Sequence, residues 1–328
     1  MPTSERIQPF FLVGCGRSGT SLLRGILNGH PLIAIPLESL FIADYLRSTT
    51  RWSLDHIKGL IVQEPELREW GLQVSTVDLK GCQSVSEVIV RLHELYAESQ
   101  GKPYWGQKTP RLVRHLELLR EHFRTARFIH LVRDPRAVVG SLVRSNVHHS
   151  TLWDGAMRWV KDVGAGLAYE ERHPQEIMRL SYEKLVGSPE QAVGAVMDFL
   201  GLEFDRRQLE REPGVGEYSA FYANIHANLN RRVTNQFVDH WRNQLSEGQS
   251  ALIEALAGPV MERLGYAREA RAAPALRSAR LGTAWRRLWG LMQQFWRYLR
   301  YRRAYLYRLV WRKWRLGLLG EFLGEIYY

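Results

Sequence analysis

A short glycine-rich stretch near the start of the chain is the feature that most restricts the fold. Residues 10–21 read FFLVGCGRSGTS, so an apolar run leads directly into a G-x-G-x-x-G pattern formed by Gly14, Gly16 and Gly19. The next segment, SLLRGILNGHP, has apolar residues at helical spacing and ends at glycine and proline. A strand, a glycine-rich loop and a helix in this order predict a parallel α/β sheet with ligands at the carboxyl ends of its strands.

A second unit of the same kind lies more than a hundred residues downstream. The run ARFIHLV has the composition of a buried strand and is followed by DPRAVVGSLVRS. Asp134 can cap a helix there and Pro135 can occupy its first position. The two units together predict a parallel sheet flanked by helices.

The residues between the glycines decide which ligand the first loop prefers. Dinucleotide-binding loops usually carry small or apolar residues there, and Glu38, about twenty residues on, would suit such a nicotinamide enzyme. This loop instead holds Arg17, Ser18, Thr20 and Ser21 at a helix N-terminus, which favours a localised oxyanion. Thr20 stands where a Walker A loop has lysine, so the loop is P-loop-like without being that motif. A nicotinamide-dependent oxidoreductase is left as a minor alternative.

Three separated segments resemble sulfotransferases that use 3′-phosphoadenosine-5′-phosphosulfate (PAPS). The glycine-rich loop resembles their 5′-phosphosulfate loop, and FIHLVRDPRAVVGSLVRS resembles their 3′-phosphate site, with Arg133 followed eight residues later by Ser141. The segment RLSYEKLVGSPEQAVGAVMDFLGLEF is similar to a late block of the family and contributes Tyr182. The resemblance covers most of residues 7–205.

The family has two ways of supplying a general base, and this chain fits one of them. Cytosolic small-molecule sulfotransferases carry a histidine in a K-T-H segment, but here Lys108 and Thr109 are followed by Pro110. The protein-tyrosine branch uses a glutamate soon after an H-P pair. Glu38 follows such a pair and lies 21 residues after Arg17, which is the spacing of that branch.

The resemblance therefore implies a role for each candidate residue. Glu38 would be the general base, Lys108 would stabilise the charge on the leaving oxygen, and Arg17 would act at the same centre. PAPS would be the co-substrate, without a metal, and its binding residues would be Arg17, Ser18, Gly19, Thr20, Ser21, Arg133, Ser141 and Tyr182. The alternative for Glu38 is an ordinary acid before a helix that starts near SLFIADYL.

The positive charge of the chain is concentrated at its C-terminal end. The 328 residues carry a net charge of +11, and residues 275–328 hold twelve arginines and lysines against two glutamates. The body is nearly neutral, so we expect no nucleic acid as a partner. A linker containing Pro274 marks the change in composition, which predicts a sulfotransferase domain over 1–270 and a basic helical tail over 275–328.

The tail has the pattern of an amphipathic, interfacial helix. Apolar residues recur at helical spacing from Trp285 to Val310, arginines occupy much of the remaining surface, and five of the eleven tryptophans lie in the tail as a whole. We expect the tail to bind an anionic membrane surface. The alternatives are that it docks on its own domain, pairs with a second copy or carries its arginines to nucleic acid.

The sequence constrains the cellular location and the acceptor substrate less directly than it constrains the fold. Two cysteines, Cys15 and Cys82, and an N-terminus without a signal pattern predict a cytoplasmic enzyme, peripheral on the inner face of a membrane. The protein-tyrosine branch is normally anchored and lumenal, so this expectation departs from it. The region from Phe41 to Tyr104 does not choose among a glycan, a lipid, a phenol and a peptide tyrosine as the hydroxyl-bearing acceptor. A different class of function also stays open, a nucleotide-binding α/β module that associates with membrane or nucleic acid.

Overall fold

The architecture is a five-stranded parallel sheet covered by helices, seen in a computed structural model that describes residues 8–145, 150–210, 235–271, 276 and 311–318. The strands are β1 (Phe10–Gly14), β2 (Ile33–Ala34), β3 (Tyr104–Lys108), β4 (Arg127–Val132) and β5 (Ile177–Ser181). Their order across the sheet is β2-β3-β1-β4-β5, with every neighbouring pair parallel. The predicted α/β fold with a parallel sheet is confirmed.

Strand β1 shows why the first apolar run is continuous rather than alternating. Phe11 and Val13 contribute to the apolar core on one face of the sheet, whereas Phe10 and Leu12 contribute to the core on the other face. A parallel strand with helices on both sides needs apolar side chains at every position. The continuous apolar run FFLVG is therefore consistent with the central place of β1 between β3 and β4.

Thirteen α-helices surround the sheet in the described part of the chain. They are α1 (Thr20–Asn28), α2 (Phe41–Arg47), α3 (Leu54–Ile61), α4 (Pro65–Glu69), α5 (Val85–Ser99), α6 (Leu116–His122), α7 (Pro135–Arg144), α8 (Leu152–Arg172), α9 (Tyr182–Gly187), α10 (Pro189–Leu200), α11 (Arg207–Glu210), α12 (Glu247–Arg263) and α13 (Arg312–Arg315). Short 3₁₀ segments span Pro110–His115, Asn235–Phe237 and His240–Asn243.

The predicted start of α7 is confirmed in detail. The Asp134 carboxylate accepts a hydrogen bond from the backbone N–H of Arg136 at 2.8 Å, and Pro135 occupies the first turn. An N-cap acceptor satisfies a backbone donor that has no partner within the helix, and proline at this position has no N–H to leave unpaired.

The segment IAIPLE, which could have formed a second strand ending at Glu38, behaves differently. Only Ile33 and Ala34 pair with β3. The pairing ends at Ala34, and Pro36, two residues further on, has no N–H with which to resume it. Before that residue the Asn28 side chain already holds the chain, accepting from the Ile35 N–H at 2.7 Å and donating to the Ile35 carbonyl at 3.0 Å. Glu38 consequently lies in an irregular segment beyond the strand.

One stretch of the basic tail packs on the rest of the protein. In residues 311–318, Leu316 and Leu318 are buried in the core that also contains Phe41 of α2. Arg312 and Lys313 are buried as well, whereas Trp311 and Trp314 are 55% and 57% exposed, the opposite of what their polarity alone predicts. Acidic side chains of the domain explain this inversion, as described below. Pro274 and residues 277–310 lie outside the described residues.

Candidate active site

The glycine-rich loop joins β1 to α1 in a conformation that needs glycine at two positions. Gly14 and Gly19 have positive φ angles of 149° and 96°. A Cβ atom at Gly14 would lie 2.3 Å from the Leu131 carbonyl oxygen, and one at Gly19 would lie 2.5 Å from the Tyr182 ring. These close approaches fix the loop against β4 and against the first residue of α9.

The loop directs polar groups at the N-terminus of α1. Helix α1 begins at Thr20, so the first free N–H groups of the helix follow the loop directly. The Ser18 side chain is fully buried, and its Oγ has no hydrogen-bond partner among the described residues. A buried hydroxyl beside a helix N-terminus is suited to an anion, because both groups can donate hydrogen bonds to it.

Arg17 connects this loop to the second predicted phosphate site. Its Nε donates to the Ser141 Oγ in α7 at 3.0 Å, although the two residues are 124 positions apart in the chain. Burial lowers the pKa of Arg17, and the positive charge of Arg133 lowers it further. Two guanidinium groups this close together favour a multiply charged anion between them.

Arg133 and Tyr182 meet on the same side of the loop. The Arg133 guanidinium lies 4.0 Å from the centre of the Tyr182 ring and donates to the Arg17 carbonyl oxygen at 3.3 Å and to the Phe237 carbonyl oxygen at 2.8 Å. Its Nε is buried with no hydrogen-bond partner in the ranges that the structure describes. The indole N–H of Trp159 fixes the backbone here by donating to the Arg133 carbonyl at 2.9 Å.

Glu38 and Lys108 form an ion pair beside the same loop. The Lys108 Nζ donates to Glu38 Oε1 at 2.6 Å and to the Ser21 Oγ at 3.3 Å. Lys108 is 2% exposed and Glu38 is 27% exposed, so the carboxylate is the member of the pair that solvent can reach. Burial lowers the pKa of Lys108, and the negative charge of Glu38 opposes that shift.

The residues that hold the Glu38 segment were not predicted from the sequence. The Arg24 Nε donates to the carbonyl oxygens of Ile35 and Pro36, both at 2.9 Å. Arg24 lies on the buried face of α1 beside Leu23 and Leu27. A charged residue within an apolar helical stripe is a signal that could have identified it, because a buried charge requires partners.

Three further hydrogen bonds fix the residues on each side of Glu38. The Ser39 N–H donates to the Thr109 Oγ1 at 2.9 Å, and the Ser39 hydroxyl donates to Gln107 Oε1 at 3.1 Å. The indole N–H of Trp70 donates to the Leu37 carbonyl at 3.0 Å. Nothing in the local sequence around Gln107 or Trp70 indicates these contacts, since their partners are more than thirty positions away.

The arrangement as a whole fits a nucleotide carrying two separate anionic groups. Arg17, Lys108 and Arg133 provide three cations, and the unsatisfied Ser18 Oγ and Arg133 Nε provide donors in two places along the loop. The Glu38 carboxylate pairs with Lys108 and is the member of that pair that solvent reaches. Arg231 and Arg232, which could also contact a nucleotide, lie outside the described residues.

Comparison with known proteins gives a consistent result. Residues 9–206 match the family described as the sulfotransferase family. A putative protein-tyrosine sulfotransferase of Caenorhabditis briggsae is 23% identical over 272 residues, which cover 79% of this chain and 89% of the relative. Protein-tyrosine sulfotransferase 2 of Gallus gallus is 27% identical over 222 residues, 65% of this chain and 56% of that protein.

A solved structure supports the same fold. The sulfotransferase domain from the Synechococcus PCC 7002 olefin synthase superposes with a TM-score of 0.56 at 22% sequence identity, covering 81% of this chain and 98% of the domain. The predicted resemblance to sulfotransferases, and within them to the protein-tyrosine branch, is confirmed.

The relatives also correct one expectation. The predicted cytoplasmic location, peripheral on an inner membrane face, is wrong because the similar proteins are protein-tyrosine sulfotransferases, the branch that is normally anchored and lumenal. The low cysteine content and the lack of a signal pattern at the N-terminus were therefore not sufficient to predict the location. No helix within the described ranges combines the length and the apolar character that crossing a membrane requires.

Proposed function

Because the chain belongs to the sulfotransferase family, we propose that it transfers the sulfuryl group of PAPS to an acceptor hydroxyl, with Glu38 as the general base. The observation that carries this proposal is the ion pair between Glu38 and Lys108 beside Ser21 of the glycine-rich loop. A base, a cation and an anion-binding loop within hydrogen-bond distance of one another are the groups that such a transfer needs.

The donor nucleotide would be held at two places. Ser18, Gly19, Thr20 and Ser21 would bind its 5′-phosphosulfate at the start of α1, where the helix dipole and free N–H groups attract negative charge. Arg133 and Ser141 would bind the 3′-phosphate, and Tyr182 would lie against the nucleotide. PAPS supplies the sulfuryl group and a leaving nucleotide whose oxygen gains negative charge as the bond to sulfur breaks.

Three residues of this chain would each have a separate role in the transfer step. The acceptor oxygen forms a bond to sulfur as its proton passes to the Glu38 carboxylate. Lys108, buried and fixed by Glu38 and Ser21, would stabilise the charge on the leaving oxygen, and Arg17 would neutralise charge on the sulfuryl oxygens. Low exposure strengthens these interactions because water does not screen them.

A peptide tyrosine is the acceptor that we propose to test first. The support is the similarity to proteins named protein-tyrosine sulfotransferases, found in nematode, fish, fly and bird. Simple phenols share the aromatic hydroxyl of tyrosine, whereas the hydroxyls of glycans and lipids lack the aromatic ring. A comparison of these acceptors separates the classes.

Nucleotide-dependent stabilisation tests the donor directly. Adenosine 3′,5′-bisphosphate at about a hundredfold excess over its Kd should stabilise the full chain by roughly 2.7 kcal/mol, measured by thermal unfolding. ATP and NADH, which lack the 3′-phosphate, should give much smaller shifts. Equal stabilisation by NADH would support the dinucleotide alternative, and no stabilisation together with no sulfate transfer from PAPS to a tyrosine peptide or a phenol would overturn the proposal.

Arg133→Ala tests the 3′-phosphate site. The variant should bind adenosine 3′,5′-bisphosphate roughly 10-fold to 150-fold more weakly, because a hydrogen bond to a charged group contributes about 1.5 to 3 kcal/mol. Binding of adenosine 5′-phosphosulfate, which has no 3′-phosphate, should change far less. Calorimetric titration of both ligands gives the ratio, and Arg127→Ala, at the opposite end of β4, is the control. Equal losses for both ligands would remove the assignment.

A further inference from the structure

A buried cluster of charges joins the C-terminal end of the described chain to the region around α2 and α4. The Arg312 Nε donates to Asp44 Oδ2 at 2.9 Å, and its Nη1 donates to Glu64 Oε2 and Glu66 Oε1, both at 3.1 Å. The Lys313 Nζ donates to Asp44 Oδ1 at 2.8 Å. No side chain in these pairs is more than 6% exposed.

The three carboxylates depend on the two cations. Carboxylates out of water are strongly unfavourable unless they are paired and hydrogen-bonded. Burial raises the pKa of Glu64 to about 7, and the positive charge of Arg312 opposes that shift, so the guanidinium favours the ionised form of this carboxylate. The Tyr45 hydroxyl donates a further hydrogen bond to Glu64 at 2.7 Å. Arginine suits this place because its planar fork reaches several carboxylates at once.

The partners of Arg312 belong to the elements that flank Glu38. Asp44 lies in α2, which begins at Phe41, three positions after Glu38. Glu64 and Glu66 lie at the start of α4, and the residue directly after α4 is Trp70, whose indole N–H donates to the Leu37 carbonyl. The Phe41 and Trp70 rings lie 6.1 Å apart, so the two elements also pack on each other.

We propose that Arg312, assisted by Lys313, is a positioning residue for Glu38. By fixing α2 to α4 from the far end of the chain, the pair of cations holds residues 37–39 where the carboxylate meets Lys108. We call residues 311–318 the C-terminal clamp. The part of this inference that concerns catalysis rests on the proposed role of Glu38, whereas the part that concerns the position of the segment does not.

Hydrogen exchange of the full-length protein tests the position of the segment without any assay of activity. Arg312→Lys keeps a positive charge but replaces the planar fork, whose Nε and Nη1 reach different carboxylates, with a single ammonium group, and Arg312→Met removes the charge. In both variants the amides of Ile35 and Ser39 should exchange about tenfold faster or more, because the opening of this segment becomes easier. The amide of Leu12 in β1 should be unchanged. Arg206→Met, at an arginine that is 74% exposed, is the matched control.

Kinetics of the same variants tests the consequence for catalysis. The turnover of Arg312→Lys should fall roughly tenfold or more, since small displacements of a catalytic group are costly, while the Kd of adenosine 3′,5′-bisphosphate stays within about twofold. In a double-variant cycle, Arg312→Lys should add little to the loss caused by Glu38→Gln, because both act through one carboxylate. Full additivity in that cycle would contradict action through Glu38.

The outcomes separate the two proposals. If Arg312→Lys leaves both the exchange of Ser39 and the turnover at wild-type values, the clamp has no positioning role and the inference is overturned. If Glu38→Gln is fully active, the proposed base is wrong, and the exchange data alone decide whether the clamp holds the segment. If Arg312→Met does not fold, Arg312→Lys still distinguishes these results.

Discussion

Glu38→Gln is expected to bind PAPS as the wild type does and to lose about 10² to 10⁴ in turnover, the usual cost of removing a general base. The amide keeps the size of the side chain and can still accept a hydrogen bond from Lys108, which donates to Glu38 Oε1 at 2.6 Å in the wild type. It cannot accept the acceptor's proton. Single-turnover rates at saturating PAPS, with the Kd of adenosine 3′,5′-bisphosphate measured beside them, check this prediction.

Two controls define the result. Glu121→Gln, at an exposed position of α6, makes the same chemical change away from the loop and should leave turnover unchanged. Glu38→Asp keeps the carboxylate but withdraws it by one methylene, so it should retain part of the activity. A Glu38→Gln variant that loses nucleotide affinity but turns over normally at saturation would assign this residue to binding instead.

Lys108→Met is expected to lower turnover by about 10² to 10³, the range seen when one group that stabilises a developing oxyanion is removed. Methionine fills the buried space of the lysine stem without its charge. The pKa of Lys108 is lowered by burial and supported by Glu38, so the charge is held in a place where its interactions are strong. Lys108→Arg should recover part of the rate, because the charge returns with a different shape.

The measurement is again a single-turnover rate with saturating PAPS. Lys80→Met, at an exposed lysine, is the matched control. Since Lys108 also donates to Ser21, a modest weakening of nucleotide binding is expected with the loss of rate. Turnover within about threefold of the wild type would mean that another group stabilises the leaving oxygen.

The two variants are also informative together. Glu38 and Lys108 are in direct contact, and variants of contacting residues are rarely additive. The double variant Glu38→Gln, Lys108→Met should therefore lose less activity than the product of the two single losses. The size of the difference measures how far base and cation act as one unit.

Much of the fold was predictable because its signals are local. The run FFLVG, the glycines that follow it and the cap at Asp134 each act on residues within a few positions, so their effects can be read from neighbours in the sequence. Local signals fail after Ala34, where the Asn28 side chain binds both backbone groups of Ile35 and the apparent strand continues as an irregular segment. The cysteine content misled the prediction of location because it describes composition and not destination.

The amino-acid sequence by itself determined which chemical groups the site contains, and only the tertiary structure decided which of them meet. The spacing of Glu38 and the presence of Lys108 were visible in the chain, but their contact depends on how the segment after β2 lies against β3. Arg312 shows the same limit more strongly. In the sequence it is one of many tail arginines, and its hydrogen bond to Asp44 spans 268 positions. A side chain turns inward or outward according to the surface it packs on, and that surface comes from residues distant in the chain.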